Sequence, residues 1–212
     1  MLSDVLIVAR PDRAPSIECS GGVAARRTDS DTVHLVSAAA TPLGGDTIAV
    51  RIVVEPGARL RVRSAAATMA MPGTATMESR ASWDLEVAGD LDLDPQPTIV
   101  AGQARHLSTI RLTLTGDGRA RLRERVQVGR SQERQGFWSG SMHADVDSAP
   151  LLRHRVELGV DSVTADELGT PLACVSELRY PETAFDTDGT LLELAAGGCL
   201  ATWQGERLPA ER

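Results

Sequence analysis

The feature that most constrains this chain is a period-two alternation of apolar and polar residues, repeated along most of its length. Ile48, Val50, Ile52 and Val54 alternate with Thr47, Ala49, Arg51 and Val53. The pattern returns at Leu60 and Val62, at Trp83, Leu85 and Val87, and at Ile110, Leu112 and Leu114. It returns again at Leu122, Val126 and Val128, and at Leu152, Val156 and Leu158. Successive side chains of an extended chain point to opposite faces, so each run reads as a strand with one face buried and one wet. Glu55-Pro56-Gly57-Ala58 and Thr115-Gly116-Asp117-Gly118 are turn signals between such runs, and both read as hairpins.

Helical periodicity is nearly absent. Ser64 to Met71 is alanine-rich and reads as a helical turn ended by Pro72-Gly73. Leu191 to Trp203 starts like a helix but contains Gly197-Gly198. The expectation is an all-β single domain over residues 1–212, with nine or ten strands and one or two short helices. Its sheets are stacked or spiralled; a closed barrel and an open spiral both fit.

Composition narrows the function. A 42% hydrophobic content in 212 residues supports a folded core. The net charge of −7 makes nucleic acid a poor partner. All 22 basic residues are arginine, so a P-loop or catalytic lysine is ruled out. The start, with Asp4 where a signal peptide carries positive charge, and the lack of a long apolar run point to a cytoplasmic protein away from membranes. Cys19, Cys174 and Cys199 are scattered, and no paired-cysteine or paired-histidine metal motif occurs.

Several residues stand out. Gly44-Gly45-Asp46 precedes a strand where a phosphate loop would follow one, and reads as a turn; Asp46 is also a candidate carboxylate facing a metal or a partner. Glu124 is in phase with Leu122, Val126 and Val128 and so points to the apolar face. An unpaired carboxylate there is costly, so it is paired, lines a wet cavity, or is held neutral. His154, in phase with Leu152 and Val156, and His106, in phase with Ile110, raise the same question. Ser141 and His143 share a face and are expected to hydrogen-bond. An enzymatic alternative follows: a β-sandwich hydrolase or epimerase using Glu124 with His154 or His143. Finally, Asp90, Asp92 and Asp94 form an acidic stripe matching Arg59, Arg61 and Arg63, and Arg119, Arg121, Arg123 and Arg125. Cross-strand pairing within a sheet, or docking of an acidic partner, would use them.

Three blocks in order carry a family resemblance: PLGGDTIAVRIVVEPGARLRVRSAAATMAMPG from Pro42, LDPQPTIVAGQA from Leu93, and VQVGRSQERQGFWSG from Val126. The set resembles the urease accessory protein D family, called H in some bacteria. It departs at Met69-Ala70-Met71, where the family has a Lys-Val-Tyr type sequence, and around Asp90 to Asp94, where a tryptophan is usual. The resemblance implies a non-catalytic maturation scaffold or chaperone. Such a protein links apo-urease to the helical F accessory protein and the nickel-carrying GTPase G for metallocentre assembly. It implies no permanent cofactor and nickel only in transit, with Asp46, Glu124 and Glu133 as candidate residues along the nickel passage. Glu133 joins on the resemblance alone, because it lies in a matching block.

Overall fold

The computed structural model describes residues 1–163, 165 and 169–210. Among these every regular element is a strand. The first group comprises β1 (Leu2–Ala9), β2 (Ser16–Ser20), β3 (Val23–Arg27), β4 (Thr32–Ser37), β5 (Thr47–Val54) and β6 (Arg59–Ser64). The second comprises β7 (Thr68–Ala70), β8 (Glu78–Val87), β9 (Asp90–Leu93), β10 (Thr98–Val100), β11 (Arg105–Leu114) and β12 (Arg119–Val128). The last comprises β13 (Phe137–Val146), β14 (Ala149–Gly159), β15 (Ala173–Tyr180), β16 (Thr190–Glu193) and β17 (Cys199–Gly205).

The strands form two sheets. One runs β14-β13-β11-β8-β5-β1-β2, and the other β16-β17-β15-β12-β9-β6-β4-β3, with β10 beside β12 and β7 beside β10. Strands β1, β5, β8, β11 and β13 pair in parallel, as do β4, β6, β9 and β12. The chain therefore winds as stacked coils: β5 then β6, β8 then β9, β11 then β12, one strand of each pair in each sheet.

That winding corrects the reading of the turns. Glu55–Ala58 and Thr115–Gly118 do not close hairpins; each carries the chain from one sheet to the other. A tight reversal looks the same in sequence whether its strands pair or separate. A hairpin does join β13 and β14 through Asp147 and Ser148, whose φ angles are 46° and 68°. The two helical expectations also fall. Ser64–Met71 holds the end of β6 and β7, where pairing of β7 with β10 overrides alanine's helical preference. Leu191–Trp203 is the β16–β17 hairpin, and its two glycines sit at the turn with φ of 88° and 81°. No helix among the described residues is long and apolar enough to cross a membrane.

Parallel stacking in register lines up inward residues in rows. Ile7, Ile52, Leu85, Leu112 and Ala144 are successive partners across one sheet, all at most 1% exposed. Val33, Val62, Leu93, Leu122, Leu178 and Leu200 form the facing row of the other sheet. Both rows belong to one apolar cluster, so the core lies between the sheets. On the outer face the charge stripes pair as expected. Asp90 of β9 binds Arg59 of β6, and Asp92 bridges Arg63 of β6 and Arg121 of β12. Asp94 takes Arg121 and Arg125, and Glu177 of β15 takes Arg121 and Arg179.

The ladder predicts that Asp92→Ala lowers unfolding free energy by about 1–2 kcal/mol, because two half-buried guanidinium groups lose one shared acceptor. Urea titration at low and high salt checks this; the loss should shrink at high salt.

Candidate functional site

Moving along the coils away from the aliphatic rows, the inward side chains become small and polar. Ile48, Ala81, Ser108 and Gly140 form one row of the first sheet, and Ser79, His106 and Trp138 the next. Across from them, the row of the second sheet is Glu124, Ser176 and Thr202. Short side chains facing each other leave volume unfilled. A cavity of about 380 Å³ lies at the Glu124–Ser108 end of these rows, with Glu124, Ser108, Ala81, His106, Ile48 and Trp83 among its walls, while Gly140, Ser176 and Thr202 lie outside it. It falls where the main apolar cluster gives way to a second one around Val126, Val128, Trp138 and Leu158. Gly140 marks the filled part of the row: a Cβ there would stand 2.2 Å from the ring of Trp138, which occupies the space above it.

Glu124 behaves as its phase implies. It points between the sheets, and its carboxylate accepts one hydrogen bond, from Ser108 Oγ at 2.9 Å across the gap. Burial raises its pKa from the ordinary value to about 7, and the Ser108 hydroxyl only partly opposes that. His106 is 2% exposed, with Nδ1 2.9 Å from Ser79 Oγ, and burial lowers its pKa to about 4. Between those values both groups are neutral. Cys174 lies diagonally across the β12–β15 ladder from Glu124, fully buried. Burial drives its thiol well above the ordinary value, and the Glu124 charge adds to that.

The other two carboxylates sit elsewhere in saturated settings. Asp46 accepts from the Met1 amino group through Oδ1, and from Thr41 Oγ1 at 3.0 Å and Leu43 N–H at 2.9 Å through Oδ2. Burial alone would raise its pKa, but these donors win and lower it. The Gly-Gly-Asp segment is the expected turn into β5. Gly44 is obligatory there, since a Cβ would lie 1.8 Å from the Thr76 carbonyl oxygen. Glu133 lies in the β12–β13 loop. It accepts from Arg130, from the Gly102 N–H at 2.8 Å and from the Arg130 N–H at 3.1 Å, and these donors lower its pKa to about 2. Among the described residues no three His, Cys, Asp or Glu side chains are grouped to hold a metal ion, so the three carboxylates form no common site.

The geometry also corrects the enzymatic pairings. His143 is exposed on the outer face of β13, away from Glu124. Ser141 donates to Thr109 Oγ1 at 3.4 Å, not to His143. His154 faces inward beside Met142, its Nε2 buried without a hydrogen-bond partner, and it forms no part of the cavity wall that carries Glu124. Ser108 and Ser79 escaped the sequence reading. The available signal was their phase: Ser108 lies two residues from both His106 and Ile110 on one strand face.

The UreD urease accessory protein family model matches residues 23–176, which hold the stacked coils from β3 to β14 and all of the cavity's polar wall. This chain belongs to that family. It is 36% identical over 192 residues to urease accessory protein UreD 1 of Saccharopolyspora erythraea, covering 85% of this chain and 74% of the relative. It is 40% identical over 150 residues to UreD of Frankia alni, covering 70% and 47%. It is 43% identical over 120 residues to UreD of a Parafrankia species, covering 56% and 40%. The chain thus spans about half or less of the length of the last two relatives.

Two outcomes test the site. Because Glu124 has a folded pKa of about 7, above the ordinary 4.5, its contribution to stability is intact below pH 4.5 and is lost as pH rises through 7. Glu124→Gln removes that loss while keeping an acceptor for Ser108. Its stability relative to the parent should therefore shift in its favour by on the order of 3 kcal/mol between pH 4.5 and 8, measured by urea unfolding. Gly44→Ala should cost about 2 kcal/mol or more, since backbone must move to admit the methyl group.

Proposed function

We propose that this chain is a urease maturation factor that acts as a non-catalytic scaffold. It links apo-urease subunits to the F accessory protein and the G GTPase while nickel is inserted into the urease active site. The observation that carries this reading is the UreD family match across residues 23–176, together with relatives named as urease accessory proteins. The absence of lysine fits the division of labour, because nucleotide hydrolysis by a P-loop would have to come from another subunit. In this role the chain works in the cytoplasm, and holds no resident cofactor.

Nickel is cargo in this reading. Glu124 is the candidate best suited to touch it in passing. A carboxyl that titrates near pH 7 can lose its proton to meet a divalent cation and regain it when the cation leaves. Ser108 offers a further oxygen beside it, and oxygen donors hold such a cation loosely. Asp46 and Glu133 remain candidates further along the route. Each would first have to release the donors it now holds, which makes them weaker stopping points.

The experiment is co-purification with the urease subunits and the F and G proteins, followed by reconstituted activation. The expected result is a complex containing all of them. Glu124→Ala should still assemble but leave urease with less than half its parental nickel content, read by metal analysis. Failure to recover any of these partners would defeat the scaffold reading. Unchanged nickel content with Glu124→Ala would remove Glu124 from the route.

A further inference from the structure

The second sheet is interrupted beside Glu124. Pairing of β9 with β12 ends at Leu93 and Leu122, and pairing resumes only at Thr98 of β10 with Val126. Pairing of β6 with β9 ends at Val62 and Leu93, and resumes at Thr68 of β7 with Thr98. Three residues of β12, 123–125, therefore face four, 94–97, and these face five, 63–67. The excess grows coil by coil, so the corner flares. Pro95 and Pro97 have no N–H to offer a ladder, which accounts for the break locally.

The lips of this flare are small and exposed. Ala65, Ala66, Ala67 and Gln96 are all open to solvent, and all four also line the cavity. Side chains do the stitching that the backbone does not. Ser64 Oγ donates to the Ala66 carbonyl at 2.9 Å and accepts from the Gln96 N–H at 2.9 Å, holding one lip to the next. A guanidinium nitrogen of Arg125 donates to Asp94 Oδ1 at 2.9 Å and to the Pro95 carbonyl at 2.7 Å, holding that lip to β12. A seam closed by a few side-chain bonds opens at lower cost than one closed by a ladder.

We propose that this flared corner is the entrance through which small water-borne solutes reach Glu124, and that Ser64 and Arg125 are its latches. The location of the entrance stands on the sheet break and on the exposed lips that line the cavity; that the solute is a nickel ion rests on the maturation role proposed above. The two can fail separately, because the test needs neither urease nor nickel.

The test places a thiol on the inner wall by Ser108→Cys in the full chain. Its modification by a small cationic methanethiosulfonate is followed at that peptide by mass spectrometry. Ser64→Ala, in this background, should raise the labelling rate about five-fold, the weight of its one hydrogen bond between the lips, and Arg125→Ala, which removes two, by at least as much. Ala66→Trp should slow it by at least as much, with Ala67→Trp as a second plug should the first fail to fold. Thermal midpoints are recorded for every variant. The proposal is overturned if the plugged chains label as fast as the unplugged one. It is overturned equally if the latch variants label no faster, or if rates follow thermal stability regardless of where the substitution lies.

Discussion

Everything in this molecule depends on parallel backbone ladders that keep successive coils in register. With β5, β8, β11 and β13 stacked side by side, each coil supplies one residue to each inward row. A row is then as good as its members. Rows of Ile, Leu and Val close against each other and exclude water. Where Ala81 and Ser108 face Glu124, and Ala65, Ala66 and Ala67 stand at the corner beside them, the rows do not close, and a cavity follows. The void is therefore written into specific positions of several coils rather than being a packing fault at one.

A carboxyl in that void has few ways to persist. Left charged and unpaired between two sheets, it would cost several kcal/mol. Among the described residues Glu124 has one hydroxyl partner and no cation, while the arginines on either side of it in sequence, Arg123 and Arg125, turn to the outer face and pair with Asp94 and Glu177. Burial wins, and the carboxyl sits at the edge of ionisation near neutral pH. That poise separates Glu124 from Asp46 and Glu133. Those carboxylates are surrounded by donors and stay ionised, so they brace the turn into β5 and the β12–β13 loop.

Much of this was legible in the sequence, for identifiable reasons. Alternation located the long strands, and the phase of Glu124 against Leu122 and Val126 placed it inside. The facing arginine and aspartate stripes foretold the β6–β9–β12 charge ladder. Alternation says which face of a strand is buried but not which strand lies next to it. The turns at Pro56-Gly57 and Gly116-Asp117 were therefore read as hairpins, although they join separate sheets. The stacking repeat was hidden because the coils differ in length: Thr47, Arg80, Leu107 and Ser139 are successive partners with unequal spacing. The alanine-rich stretch after Ser64 misled through local propensity, which the β7–β10 ladder overrides. His143 misled through nearness in sequence to Ser139 and Ser141, although the alternation of Met142, His143 and Ala144 puts it on the exposed face.

The central claim is that Glu124 is a half-buried carboxyl on a cavity wall between the sheets, neutral below neutrality and ready to ionise just above it. Its side-chain carboxyl carbon, assigned by comparison with Glu124→Gln and titrated by carbon NMR, reports this directly. The account predicts a midpoint near 7. A midpoint near 4.5, the ordinary glutamate value, would put the carboxyl in water and contradict it.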